Sequence, residues 1–261
     1  MDLKLKGKTV LVTGASKGLG KASALALAQE GANLILVSRD EDALQLAKEE
    51  IERKTGVKVA MIPADVSEAE QVKNLFSQVR DYTDRLFGVV CNAGGPPSGS
   101  FETLSDEQWQ KAFETNLLSV VRLVRGCLPF MAKEGGRIVA IASYSVKTPI
   151  EGLILSNTMR AGVQGLMKTL SIELAEKNIL VNTICPGQIA TERLQALHAE
   201  KAAREGKTID EVHQEAAREI PLKRFGRPEE FGQVVAYFLS PANTYMTGST
   251  IIVDGGLVKA L

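Results

Sequence analysis

Residues Thr13 to Gly20 read TGASKGLG. Before them, residues 8–12 (KTVLV) form an apolar run rich in β-branched side chains. After them, residues 19–31 (LGKASALALAQEG) carry apolar positions at helical spacing. A strand therefore runs into a helix through a glycine turn. Gly14 lets the chain leave the strand, Gly18 removes a side chain where a ligand can approach, and Gly20 lets the helix pack close to the sheet. Such a turn exposes backbone N–H groups at the positive end of a helix dipole, which suits a pyrophosphate. The same letters also fit a tight connection that binds nothing.

The chain has 261 residues, 44% of them hydrophobic, enough core for one large domain or two small ones. No second domain is needed, so a single unit over 1–261 is expected. Thirty-one basic residues balance 31 acidic ones, which gives no reason to expect nucleic acid or an anionic membrane surface as a partner. The opening MDLKLKGKTV lacks an apolar signal core, and no apolar stretch is long enough to span a bilayer, so a cytosolic protein is expected. Cys91, Cys127 and Cys185 have no CxxC spacing, and Cys91 and Cys185 lie in apolar strand-like runs. They read as buried thiols, neither disulfides nor metal ligands, and no metal site is expected.

Strand and helix then alternate. Further strands are expected over 32–39, 57–66, 86–95, 136–143, 179–187 and 249–256. Helices are expected over 40–54, 68–79, 106–131, 157–175 and 228–239. The strands are apolar on both faces and separated by helices, the pattern of a doubly wound α/β fold with a parallel sheet of about seven strands. Residues 190–221 break the alternation. They are polar and alanine-rich and follow the sixth strand's C-terminal end, where ligands of open α/β sheets bind. They read as a helical flap over a site, or as a solvated insertion.

The ordered set TGASKGLG, ADV (Ala64 to Val66), NAGG (Asn92 to Gly95), TN (Thr115, Asn116), a strand ending at Ser143, PG (Pro186, Gly187) and TGSTIIVDGG resembles the short-chain dehydrogenase/reductase family over essentially the whole chain. It looks most like the 3-oxoacyl-acyl-carrier-protein reductase members. The resemblance implies a nicotinamide dinucleotide held by Gly14, Ser16, Lys17, Gly18, Leu19 and Gly20, by Ser38 and Arg39, and by Asp65 and Val66 near the adenine. Asn92, Ala93 and Gly94 would pack on the ribose, and Pro186, Gly187, Ile189 and Thr191 would reach the nicotinamide amide and the phosphates. It also implies a homodimer or homotetramer paired through the helices near 106–131 and 157–175. In the second of these, Ala161, Gly162 and Gly165 permit close approach, or serve internal packing.

The end of the second strand bears on the cofactor. An acidic residue there holds a ribose 2′-hydroxyl, whereas an arginine accommodates a 2′-phosphate. Here the end is Ser38 and Arg39, with Lys17 in the glycine turn, which favours NADP(H). Asp40 leaves NAD(H) possible if its carboxylate approaches the ribose, but it is equally a helix N-cap.

Family members carry Asn, Ser, Tyr and Lys, the Tyr phenol passing a proton to or from the substrate oxygen. Asn116 and Ser143 match. Thirteen residues on from Ser143 stands Ser156, and four further on Arg160, so neither Tyr nor Lys is present. Arg160 keeps a charge for the ribose but cannot give up a proton, and an alcohol at Ser156 is a far weaker acid than a phenol. Substitutes lie nearby: Tyr144 and Lys147 in one loop, His198 and His213 in the flap, and water. Three functions are compatible with this. One is an oxidoreductase acting on a carbonyl such as a 3-oxoacyl thioester, or on the corresponding alcohol, through a modified relay. The second is a nucleotide-binding sensor or partner subunit without chemistry. The third is a lyase or isomerase on the same scaffold.

Overall fold

The computed structural model of the protein describes residues 1–131 and 135–260, so the expected unit of 1–261 includes four positions outside the described residues. Seven strands, β1 (Thr9–Thr13), β2 (Asn33–Ser38), β3 (Val59–Pro63), β4 (Gly88–Cys91), β5 (Gly136–Ile141), β6 (Ile179–Pro186) and β7 (Thr250–Val253), form one sheet. Their order is β3-β2-β1-β4-β5-β6-β7, with every pairing parallel. The order reverses between β1 and β4, which opens a crevice outside the carboxyl ends of those two strands.

The connecting helices are α1 (Gly18–Gln29), α2 (Glu41–Thr55), α3 (Ala69–Tyr82), α4 (Asp106–Phe113), α5 (Ser119–Met131), α6 (Ile154–Glu173), α7 (Glu192–Glu205), α8 (Ile209–Glu219) and α9 (Pro228–Phe238). They cover both faces of the sheet because the strands are apolar on both. On one face Val72 and Leu75 of α3, Leu123 and Cys127 of α5 and Val163 and Met167 of α6 pack on Leu11, Val89, Ile138 and Val181. On the other, Ala24 and Leu27 of α1, Leu44 and Ile51 of α2 and Phe231 and Val235 of α9 pack on Val10, Leu36, Val90 and Val139. All three cysteines are free and buried, and burial pushes the Cys91 thiol up to about 12. No helix among the described residues is long and apolar enough to cross a membrane.

The expected helix over 106–131 is broken. A π-helical turn, Glu114–Leu118, separates α4 from α5 and carries Asn116. The wider turn aims Asn116 at the loop after β4, where its Nδ2 donates to the Gly94 carbonyl at 2.8 Å. Four strands stop well short of their expected ends, β3 at Pro63, β4 at Cys91, β5 at Ile141 rather than Ser143 and β7 at Val253, and the residues beyond leave the sheet as loops. The helix expected from 157 starts at Ile154, which puts Ser156 in its first turn. Within it, Gly162 packs against Leu117 while a Cβ at Gly165 would meet only open space. Asp40 is an N-cap, its carboxylate accepting from the Ala43 amide at 3.0 Å.

Glu50 ties α1 to α2, meeting Lys21 at 2.5 Å and Lys54 at 2.7 Å. Hydrogen bonds from those lysines hold its carboxyl down at about 2, against an ordinary value of 4.5. A depressed carboxyl contributes stability that is full above its unfolded value and is lost as pH falls through the folded one. With the side chain 30% exposed, solvent screening limits the contribution to about 1 kcal/mol. Glu50→Gln is therefore expected to lower the melting temperature at neutral pH by about 2 °C, with the gap to the parent protein closing as pH drops from about 5 toward 2. Thermal melts across that range measure it.

Candidate active site

Gly14 and Gly18 both adopt left-handed backbone, with φ of 59° and 56°, so the turn needs glycine at each. Gly20 lies beneath the turn, where a Cβ would come within 2.1 Å of the Gly14 carbonyl oxygen. Asn92 supports the same turn: its Nδ2 donates to the Gly14 carbonyl at 3.3 Å. Its backbone is clamped by the Thr13 hydroxyl, which donates to the Asn92 carbonyl at 2.8 Å and accepts from its amide at 2.9 Å. No side chain caps the first turn of α1. Its amides are left for a ligand.

This turn forms one wall of a cleft of about 940 Å3. Gly14, Ser16, Lys17, Gly18, Leu19, Ser38, Arg39, Asp65, Val66, Asn92, Ala93, Gly94, Pro186, Gly187, Ile189 and Thr191 all line it, as do Ser143, Ser156 and Arg160. Gly20 and Asn116 do not line it. Gly20 is buried against the turn, and Asn116 sits behind the loop it holds, with its buried Oδ1 lacking a partner among the described residues.

At one end the Ser16 and Ser38 hydroxyls share a hydrogen bond of 2.9 Å, and Arg39 lies 3.6 Å from the Asp65 carboxylate. The other Asp65 oxygen accepts from the amide and hydroxyl of Ser67. Lys17 reaches across the cleft to Glu192 at 2.8 Å, and that hydrogen bond raises its pKa.

At the other end Ser143 caps a short 3-10 turn, Tyr144–Val146, its Oγ accepting from the Ser145 amide at 3.1 Å. Ser156 and Arg160 lie one turn apart on α6 and so share a face. Arg160 is buried. It donates to the Ile141 carbonyl at 2.8 Å and to the Ala93 carbonyl at 3.3 Å, joining the end of β5 to the loop after β4. Burial pulls its pKa down to about 10, which leaves it charged at neutral pH.

The 3-10 turn separates the two substitutes expected from its loop. Tyr144 lines the cleft half-buried, and burial, then the charges of Glu219 and Asp254, push its phenol up. Lys147 is exposed and lines no part of the cleft.

The region 190–221 folds as α7 and α8 and lines the cleft from above. Thr191 caps α7 and Thr208 forms a capping box on α8. The flap lies closed: Glu200 accepts from the Ser98 hydroxyl at 2.6 Å, and Arg193 donates to the Pro96 carbonyl at 2.8 Å. His198 is buried and lines the cleft, its Nδ1 has no partner among the described residues, and burial lowers its pKa. His213 does not line the cleft; its ring stacks 4.3 Å from Phe225 and 5.5 Å from His198. Sequence reasoning missed Arg193, Glu219 and Gln188 as cleft residues. The one available signal was the N-cap letter at Thr191, which fixes the start of α7 and so the side Arg193 faces.

Residues 14–258 match the family model described as Enoyl-(Acyl carrier protein) reductase. The chain is 33% identical to a 3-oxoacyl-(acyl-carrier-protein) reductase of Aquifex aeolicus over 98% of this chain and 100% of that protein. It is 35% identical to the Thermotoga maritima protein of the same name, again over 98% of this chain and 100% of that one. Among solved structures, L-sorbose reductase from Gluconobacter frateurii, complexed with NADPH and L-sorbose, superposes with a TM-score of 0.95 at 34% identity over all of both chains. Actinorhodin polyketide ketoreductase with NADPH does so with a TM-score of 0.92 at 30% identity, over 96% of this chain and 97% of that one. The chain belongs to the short-chain dehydrogenase/reductase family of oxidoreductases.

Proposed function

We propose that the protein is an NADP(H)-dependent reductase that converts a carbonyl compound to its alcohol, with the substrate's proton supplied by Tyr144. The observation that carries this is the continuity of one cleft, from Arg39 and the glycine turn at one end to Ser143, Tyr144, Ser156 and Arg160 at the other. The residues present fit the dinucleotide: uncapped amides at the start of α1 suit its diphosphate, and Arg39 beside Ser38 suits a 2′-phosphate. The NADPH complexes of the sorbose reductase and the ketoreductase support the same choice. When bound, the nicotinamide supplies the hydride.

The protein's own residues orient the carbonyl and deliver the proton. The Ser143 oxygen accepts from the Ser145 amide, which fixes it and leaves its hydrogen to donate to the carbonyl. Arg160 holds the floor of the site through its two carbonyl contacts and keeps a positive charge beside the developing alkoxide. Tyr144 is the phenol on the cleft wall, one residue from Ser143. Its raised pKa keeps it protonated, and so able to donate, throughout the neutral range. The same shift leaves little phenolate at neutral pH to accept a proton from an alcohol, so Tyr144 serves the reductive direction there.

NADPH consumption with a panel of ketones, oxo acids and 3-oxoacyl thioesters tests the reading. Turnover of at least one member is expected. NADPH binding with no turnover across the panel would favour the sensor reading instead. Arg39→Ala is expected to weaken NADPH about 10- to 100-fold while leaving NADH affinity within twofold, as read by calorimetric titration. Equal losses for both cofactors would place the 2′-phosphate elsewhere.

A further inference from the structure

We propose that the substrate carries a carboxylate as well as the reducible carbonyl, and that Arg193 is its anchor. This rests on the reductase reading and narrows its substrate to an oxo acid.

Arg193 is the second residue of α7, and its guanidinium reaches the loop after β4. It donates to the Pro96 carbonyl at 2.8 Å, and a Cβ at Gly95 would come within 3.3 Å of it. The absence of a side chain at Gly95 gives it that seat. Arg193 lines the cleft, yet among the described residues it makes no ion pair. Its neighbours on α7 are committed elsewhere: Glu192 to Lys17, Glu200 to Ser98, and Glu205 to Lys201, Arg204 and Lys207. Of the remaining acidic groups on the cleft wall, Glu219 acts on Tyr144, and neither it nor Glu151 pairs with Arg193.

A second guanidinium faces the same end of the cleft. Arg160 is 7% exposed and bonded to two carbonyls and, among the described residues, to no carboxylate. The charge of Arg193 is close enough to oppose its own. Arg193 is exposed to the cleft, so water screens the pair, and an anion that displaces that water gains from both guanidiniums. No described side chain supplies that anion, which leaves the place beside the two guanidiniums open to a carboxylate ligand. An arginine fork matches a carboxylate in two parallel hydrogen bonds. With the carboxylate on Arg193, a carbonyl in the same molecule lies toward the Ser143 and Ser156 hydroxyls, where Tyr144 protonates it.

The experiment uses the whole protein and four probes: 2-oxopentanoate, 3-oxobutanoate and the methyl ester of each. Both acids are expected to be reduced with kcat/KM at least about tenfold above their esters. Arg193→Gln is expected to raise KM for the acids about 50-fold, with KM for the esters and NADPH affinity within twofold. Arg193→Lys should recover part of the loss, because it restores the charge but not the fork. Equal turnover of acids and esters would overturn the proposal, and so would an Arg193→Gln protein that binds NADPH weakly but keeps its acid KM, since Arg193 would then serve the cofactor's phosphates. Calorimetric titration with malonate, with and without NADPH, keeps the test independent of turnover. Binding lost in Arg193→Gln supports the anchor even if no ketone is reduced, a result that sinks only the reductase reading. No malonate binding to the folded parent protein sinks the anchor.

Discussion

Gly20→Ala is expected to abolish NADPH binding and to destabilise the protein by about 2–3 kcal/mol. The new Cβ would lie 2.1 Å from the Gly14 carbonyl oxygen, 2.7 Å from the carbon of that carbonyl and 2.8 Å from Asn92 Nδ2. The first two are backbone atoms of the turn itself, so no rotamer change relieves them. Nor can α1 retreat: on its far side Gly232 of α9 sits so close that a Cβ there would approach the Ala22 carbonyl oxygen to 2.5 Å. The turn must therefore deform, and the uncapped amides that suit a diphosphate move with it. Calorimetric titration should show at least a 100-fold loss of NADPH affinity, or about 2.7 kcal/mol, and denaturant melts the loss of stability. An Ala variant that binds NADPH as the parent does would show that the turn is only a connection.

The order of elements and the glycine turn were readable because both rest on local patterns. Continuous apolar runs mark buried parallel strands, and glycine at positions 14, 18 and 20 answers to backbone geometry that other residues resist. The carboxyl ends of β3, β4, β5 and β7 were not readable. Residues 64–66 and 92–95 are mostly small or apolar around Asp65 and Asn92, and the same letters that continue a strand also form a loop beside a ligand. The π-helical turn at Asn116 was invisible for a related reason: apolar spacing continues through it, and only the tertiary bond from Asn116 to Gly94 reveals the extra residue. Tyr144 and Lys147 looked equivalent as neighbours in one loop. A single capping bond, from the Ser145 amide to Ser143 Oγ, starts the 3-10 turn that sends one into the cleft and the other to solvent. The flap's polar sequence fitted two readings equally, since α7 bears charged residues on the side that faces the cleft as well as on the side that faces solvent.

Tyr144→Phe is expected to lower kcat for carbonyl reduction about 100-fold, with substrate KM and NADPH affinity unchanged. The phenol is the stronger acid of the hydroxyl groups on that wall, so removing it leaves Ser143, Ser156 and water. Because burial raises its pKa, the rate carried by Tyr144 should stay level with rising pH through neutrality and fall only at a higher pH than a free phenol would. The decisive comparison places the same change in a second background. Ser156 opens onto the cleft from the first turn of α6, so Ser156→Tyr projects a phenol toward the same carbonyl. Only one proton is needed per turnover, so two phenols are redundant, and Tyr144→Phe should cost less than about threefold in the Ser156→Tyr background. Arg160 is kept in this background because lysine's single nitrogen cannot reproduce its clamp on the Ile141 and Ala93 carbonyls. Adding Arg160→Lys is expected to raise the demand on folding while adding little to kcat. If Tyr144→Phe instead costs the same factor in both backgrounds, Tyr144 shapes the site without passing the proton, and His198 or ordered water becomes the donor to test.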